Sequence, residues 1–452
     1  MLPRSIVICW LLLLATGPAR PATEPFGGSG TPSLLYTVAR SYEILAWMRG
    51  QERFPAGAAI FIKDATGQHP LLPDFASSAD PAVSFDGQRL LFAGKLHVSD
   101  SWQIWEVSLH GGAARRITTG TEDCIRPFYL PADRIVYARR IAGRFVVEVM
   151  EVAGGKPLAL TYIPGGALPT DILRDGRILF SAGYPLGVGA LPEIYTVYSD
   201  GSGVESYRCD HGRSRHSAKQ SNSGDLIFAS EKGLARFSSA RAQEIQLSAP
   251  RGEYGADFVE LPTGEWLVSW RPGPGATFRL LRWRQGSDTM EPLLAGQDTN
   301  IVEPVLIASR PTPNRHPSGL HDWPNANLLC LNAYTSKYAF APGSIRTVRT
   351  YTRDAQGAEK LLGSAPVEPD GSFFVQVPSE QPLQIELLDS AGKTLKREAE
   401  FFWMRRGEQR GCVGCHAGPE TAPENAVPMI LLKSTTPADM TGASSQSAAG
   451  GH

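Results

Sequence analysis

Ser84-Phe85-Asp86-Gly87-Gln88-Arg89-Leu90-Leu91-Phe92 (SFDGQRLLF, 84–92) decides the fold: a polar Asp-Gly turn opens directly onto a short apolar run. Asp-Gly is a tight-turn pair, because glycine takes a positive φ at no steric cost and aspartate bonds its own backbone. The unit returns as PADRIVY (131–137), RDGRILF (174–180), SGDLIF (223–228) and TGEWLV (263–268). Counted from Leu90, Ile135, Ile178, Leu226 and Trp266, the strands start 45, 43, 48 and 40 residues apart. That is the period of four-stranded propeller blades. One such unit cannot bury both of its faces, whereas stacking the units radially covers every face and leaves only short edges. LLYTVAR (34–40) with AAIFIKD (58–64) supplies another blade, and PVLIAS (304–309) is positioned to close the ring. The expectation is an all-β chain with a six-bladed β-propeller over residues 30–310.

Downstream, RPTPNRHP (310–317) opens a Pro-rich linker, assigned to 311–325. From 326 to 404 the chain reads as a small β-sandwich-like domain. NLLCLNAY (327–334), SIRTVRTYT (344–352), GSFFVQVP (371–378) and LQIELLD (383–389) alternate with period two, and turns fall at Pro369-Asp370-Gly371 and Ser390-Ala391-Gly392. A haem-bearing segment is expected over 405–433. Residues 434–452, poor in apolar side chains, are expected to form a disordered tail.

Cys412-Val413-Gly414-Cys415-His416 has the spacing of a c-type haem attachment site. Two thiols reach the two vinyl groups on one porphyrin edge, and the histidine that follows is held beneath the iron as proximal ligand. With this composition the pattern arises by chance on the order of once in 600 chains. Two rivals stay open, a redox-active dithiol and half of a zinc site. The first lacks a βαβ setting, and the second has only His416 nearby. The predicted cofactor is therefore one covalent haem c on Cys412, Cys415 and His416. Phe401, Phe402 and Trp403 are candidates to cover the porphyrin or to fill ordinary core, and Arg405, Arg406 and Arg410 are candidates for its propionates. The sixth iron position has downstream candidates in Met429 and Met440, and in His452. From the propeller it has His211, His216, His316 and His321, and an open or propeller-supplied position ranks above Met429. Cys209-Asp210-His211 with His216 is a candidate second metal or substrate site. Cys124 and Cys209 are a candidate disulfide.

Two resemblances add to this reading. The form P-x-x-SFDG-x-x-LLF (81–92), followed by IWEV…GG…RRIT (104–118), resembles the Tol-type six-bladed propellers of periplasmic proteins. APVEPDGSFFVQVP (365–378), PLQIELLDSAGKTL (382–395) and FFWMRRGEQRGCVGCH (401–416), preceded by PNANLLCLNAY (324–334), resemble the middle domain of the hydrazine synthase alpha subunit and related proteins. That resemblance implies a propeller ahead of a haem-bearing middle domain. It departs at two points. The family's alpha subunit has a further haem domain, whereas these 452 residues hold one Cys-x-x-Cys-His, and Glu420 stands where the family has a tyrosine ligand. Hydrazine synthesis is not the expected activity.

The chain begins with an export signal, expected over 1–22: Arg4, a ten-residue apolar run from Ile6 to Ala15, and small residues at Ala19 and Ala22. No later run is long enough for a stable membrane span after cleavage. Net charge is −1, from 44 basic and 45 acidic residues, with no basic cluster, so nucleic acid is not an expected partner. The sequence reading is thus a periplasmic, or otherwise exported, mono-haem c-type cytochrome with an unidentified periplasmic redox partner protein. It serves electron transfer or acts as a haem c oxidoreductase. The alternative is a propeller binding or scaffold module whose haem is structural or sensory.

Overall fold

Each quoted turn joins the first two strands of a four-stranded antiparallel sheet. The Ser84–Gln88 turn links Ser77–Val83 to Arg89–Lys95, and the amides of Gly87 and Gln88 donate to the Ser84 carbonyl and the Asp86 carboxylate, both at 3.0 Å. The same join recurs between Cys124–Leu130 and Arg134–Ile141, Gly166–Ile172 and Ile178–Gly183, Arg215–Gln220 and Leu226–Ser230, and Glu253–Glu260 and Glu265–Arg271. This computed structural model describes residues 33–183, 191–208, 211–240, 242–354, 357–398, 401–414 and 425–442. Among them are eight four-stranded sheets, six of them N-terminal to the linker, and no helix is long and apolar enough to cross a membrane.

The first strands of successive sheets lie side by side around a common centre, which makes the N-terminal part a β-propeller. Its closure is a matter of register. Asn300–Leu306 is the innermost strand of the sheet whose other strands are Leu34–Ala39, Ala59–Asp64 and Gly67–Pro70. Leu35 pairs with Val305 and Val38 with Ile301, so chain segments more than 260 residues apart share one sheet. The closing strand starts four residues before the PVLIAS run that the sequence suggested. The 40–58 segment packs Tyr42, Trp47, Met48 and Phe54 into the largest apolar cluster. Gly50 turns it with φ 65°, at a point where a Cβ would sit 1.8 Å from the Gly143 carbonyl oxygen.

Past the linker, two further sheets face each other as a sandwich. One orders Gln409–Cys412, Asn325–Cys330, Phe373–Pro378 and Ala438–Asp439; the other orders Glu359–Pro366, Thr347–Arg353, Leu383–Leu388 and Thr394–Arg397. Val348, Leu328, Val375 and Leu387 lie between them. Two of these strands correct the sequence reading. Gln409–Cys412, expected in a separate haem segment, pairs in parallel with Asn325–Cys330. Residues 434–442, expected to open a disordered tail, return to the sandwich, where Ala438–Asp439 pairs in parallel with Val375 and Gln376 and Met440 is wholly buried. Backbone pairing and one thioether anchor this stretch, which composition alone does not reveal. Residues 443–452 and 1–32 lie outside the described residues.

Every innermost propeller strand is interrupted by a bulge at the same level. In five of the six sheets a non-glycine residue there has positive φ: Asp80, Arg126, Ser217, Asp257 and Glu303. A bulge re-aims a side chain, and here four of them meet as a buried ion cluster. Arg126 Nη2 donates to Asp257 Oδ1 at 3.1 Å, and Lys219 Nζ lies 2.9 Å from the same oxygen. Arg53, from the 40–58 segment, bonds Asp80 and, at 2.7 Å, Glu303; Glu303 also accepts from Thr37 Oγ1 at 2.8 Å and from the Asp80 amide at 2.9 Å. Three cations thus balance three carboxylates. Burial and then the Asp80 carboxylate push Glu303 upward. Burial alone would raise Asp257 too, but the Arg126 and Lys219 charges hold it well below the usual carboxylate range.

Asp257→Asn leaves Arg126 and Lys219 buried against a neutral amide and is expected to cost about 3–5 kcal/mol in urea unfolding at pH 7. Because the folded-state pKa of Asp257 is depressed, its contribution is complete above the unfolded carboxylate range and is lost as pH falls toward the folded value. The gap between wild type and variant should therefore narrow below about pH 4; an equal gap at pH 7 and pH 3 would contradict this assignment.

Candidate functional site

The segment Phe401–Gly414 alternately docks on the propeller and lines a cavity. Trp403 is completely buried, donates from Nε1 to the Leu160 carbonyl at 2.9 Å and packs against Phe180 of the propeller. Arg405 reaches Tyr162 Oη at 2.6 Å and Glu380 at 2.8 Å. Glu408, also buried, accepts from the Gly203 amide at 3.2 Å and from the Arg405 amide at 2.8 Å. These contacts lock the sandwich against two neighbouring propeller sheets: Leu160 and Tyr162 follow Leu158–Ala159, the last strand of one, and Phe180 and Gly203 belong to the sheet of Gly166–Ile172, Ile178–Gly183, Glu193–Val197 and Glu205–Ser206. The linker crosses the same face, with the Asn314 amide donating to the Arg174 carbonyl at 2.9 Å and His316 stacked on Tyr198.

Between the two bodies lies a cavity of about 410 Å³, within the range of small-molecule and cofactor sites. The propeller contributes Tyr195, Gly203, Val204, Glu205, Ser206 and His211 to its wall. The sandwich contributes Leu328, Cys330, Phe373, Ile385, Glu398, Phe401, Phe402, Arg410, Gly411, Cys412 and Gly414. Cys412 ends the strand Gln409–Cys412 and is the register partner of Cys330. Its carbonyl accepts from the Leu331 amide at 2.8 Å, which extends the pairing of the two strands to the last residue of Gln409–Cys412. Gly414 sits so close to the Asn332–Thr335 loop that a Cβ there would be 2.1 Å from the Thr335 carbonyl oxygen. The residues fit a porphyrin, since the Cys412 thiol stands on a wall whose exposed surface is mostly apolar and which Arg410 also joins. Arg410 is held by Glu408 at 2.6 Å.

The structure sorts the sequence candidates. Phe401 and Phe402 line the cavity, while Trp403 is core and anchor. Of the three arginines only Arg410 reaches the wall; Arg405 is committed to the joint, and Arg406 lies on the surface near Asp322. Met440 is spent in the sandwich core, where Thr350 Oγ1 donates to its sulfur, and Met429 begins the short helix Met429–Lys433 away from the cavity wall. Neither supplies a ligand from these positions. His316 and His321 stack on Tyr198 and Trp323. The proposed pairing of His211 with His216 does not form: His211 lines the cavity, whereas His216 sits on the innermost strand Arg215–Gln220, where burial pushes its imidazole down to about 4. Among the described residues no group of His, Cys, Asp and Glu is arranged to hold a metal ion. Cys124 is a buried free thiol, pushed up to about 11 by burial, and its candidate partner Cys209 lies outside the described residues. Cys209, Asp210, Cys415, His416, Glu420, His452 and the signal at 1–22 lie outside the described residues.

The sequence reading missed Tyr195, Glu193, Glu205 and Glu398 at or beside this wall. They come from chain segments about 200 residues apart and carry no local signal; the only mark was His211 in the loop after an outer blade strand.

Fold and site together define an all-β protein in which a β-propeller and a sandwich clasp a cofactor-sized chamber. A family model described as the hydrazine synthase alpha subunit middle domain matches residues 332–417. Hydrazine synthase subunit alpha of Kuenenia stuttgartiensis is 32% identical over 83 residues, a stretch that is 18% of this chain and only 10% of that protein. The solved structure of Kuenenia stuttgartiensis hydrazine synthase superposes with a TM-score of 0.75 at 17% identity, covering 90% of this chain and 72% of that one. The putative TolB from Agrobacterium tumefaciens aligns at 16% identity over 61% of this chain and 98% of its own, with a TM-score of 0.41. The chain is related to the hydrazine synthase alpha subunit.

Trp403→Ala empties the joint between the two bodies and is expected to cost about 3–5 kcal/mol. Urea unfolding checks the figure, and limited proteolysis should show faster cleavage in the 311–325 linker. Unchanged stability would mean that the joint does not depend on Trp403.

Proposed function

We propose that this chain is an exported mono-haem c-type protein whose six-bladed propeller and sandwich hold one covalent haem between them, for electron transfer or redox chemistry. The observation that carries the reading is that Cys412, first cysteine of the Cys-x-x-Cys-His run, lines an apolar cavity of cofactor size. Cys412 and Cys415 are the tethers and His416 the proximal ligand; bound there, haem supplies iron-centred electron or small-ligand chemistry. Phe373, Phe401, Phe402 and Tyr195 exclude water from the chamber, which strengthens every electrostatic interaction inside it. Arg410, oriented by Glu408, is the cation for a propionate.

The Arg4 and Ile6–Ala15 signal supports export to the periplasm, where an unidentified redox protein would be the partner. Hydrazine synthesis is not proposed, given Glu420 at the position where the resemblance implies a tyrosine ligand. The rival reading is a propeller that binds a ligand or partner while haem is structural or sensory; the cavity beside Arg53 and Asp80, at about 10 Å³, holds roughly one water and does not serve it.

Protein made with periplasmic haem-attachment machinery is expected to carry one covalent haem per chain by intact mass and to give a two-thioether pyridine haemochrome. Cys412→Ala and Cys415→Ala should each shift that spectrum to the single-thioether form, and the double variant should lose covalent haem. Wild-type protein without covalent haem would overturn the reading.

A further inference from the structure

We infer that the segment from Ile307 to His321 is a seated strap rather than a free tether: it holds the sandwich at one place on the propeller and so couples closure of the ring to the geometry of the chamber. The inference does not depend on what the chamber binds. Upstream, the strap continues the closing strand Asn300–Leu306, which carries Glu303 into the buried ion cluster. Downstream it runs into Asn325–Cys330, whose Leu328 and Cys330 line the cavity and which pairs with the strand ending in Cys412. A linker without contacts lets its two ends move independently. Whatever fixes this one links ring and chamber.

The strap is pinned every few residues. The Ile307 amide donates to the Ser33 carbonyl at 2.9 Å and the Arg310 amide to the Phe85 carbonyl at 2.8 Å. The Arg310 guanidinium donates to the Val83 carbonyl at 2.6 Å and lies over the Phe85 ring. The Asn314 amide bonds the Arg174 carbonyl, and the Arg174 side chain is itself held by the Ser221 and Asn222 carbonyls at 3.1 and 2.6 Å. The His316 ring then stacks on Tyr198 with centres 3.7 Å apart. At two points the strap runs so close that only glycine fits beneath it. A Cβ on Gly176 would sit 2.1 Å from the Asn314 carbonyl oxygen, and one on Gly407, in the sandwich, 1.8 Å from the His321 carbonyl oxygen. The blade turns supply an internal comparison. Gly176 and Gly264 hold the same place in their turns, their amides donating to the Leu173 and Leu261 carbonyls at 2.9 Å, with φ of 90° and 79°. A Cβ on Gly264 would nevertheless meet nothing within 4 Å. Positive φ accounts for glycine at both positions; the room left by the missing side chain is occupied only at Gly176, and the strap occupies it.

The test applies limited trypsin digestion, read by intact mass, and amide hydrogen exchange to the full chain as wild type, Gly176→Ala, Gly264→Ala and His316→Ala. Arg315 is exposed in the strap between Asn314 and His316, yet wild type is expected to be cut there only slowly, because backbone held in place does not enter a protease site without local opening. Gly264→Ala, which carries the same turn strain, should match wild type at Arg315. Gly176→Ala should be cut there about 10-fold faster or more and should also raise exchange in Asn325–Cys330. His316→Ala leaves every turn intact and should move both readouts the same way, so it decides the matter where Gly176→Ala fails to fold. Wild type cut at Arg315 as fast as the urea-unfolded chain, or Gly176→Ala and His316→Ala both behaving like Gly264→Ala, overturns the strap. Faster cleavage with unchanged exchange in Asn325–Cys330 overturns its coupling to the chamber.

Discussion

The fold depends on one closure. Asn300–Leu306 must find Leu34–Ala39 across the whole propeller chain, and in doing so it carries Glu303 into a buried cluster with Arg53, Asp80 and Arg126. Burying six charges is unfavourable unless each is met by an opposite charge in good geometry. The cluster meets that condition only when the sheets bearing Asp80, Arg126, Lys219, Asp257 and Glu303 are all in register. A chain one blade short, or with its closing strand slipped, would strand a charge in an apolar interior. The bulges aim these side chains inward, whereas the 410 Å³ cavity lies at the propeller's border with the sandwich.

That second body turns an outer face into a chamber. Trp403, Arg405 and Glu408 fix the sandwich to two neighbouring propeller sheets, and the residues that flank them, Phe401, Phe402, Arg410 and Cys412, are thereby held at the cavity wall. The same twelve residues provide adhesion and site. A shift of the sandwich on the propeller would therefore alter the distance between Cys412 and the propeller wall, which couples the packing of the joint to the geometry of the chamber.

Much of this was legible in the sequence. The Asp-Gly and Ser-Gly turns mark the join between first and second strands because those backbone positions demand such residues, and the repeat length follows from four strands per sheet. The bulge residues were hidden: Asp80, Arg126, Asp257 and Glu303 are of three residue types and both charge signs and occupy positive φ without glycine, so only their common level in the ring relates them. Glu359–Pro366 and Ala438–Asp439 were missed because one alternates weakly and the other is two residues long, held by parallel pairing and by Met440. The cysteine motif was plain at once, whereas its chamber is assembled from segments that only folding brings together.

The central claim is that haem iron resides in the chamber between propeller and sandwich. Anomalous diffraction at the iron edge from crystals of protein matured in the periplasm tests it directly. The account predicts one iron per chain, inside the wall formed by Tyr195, His211, Phe401, Phe402 and Cys412. Iron at any other position, or crystals of mature protein with no iron, would contradict it.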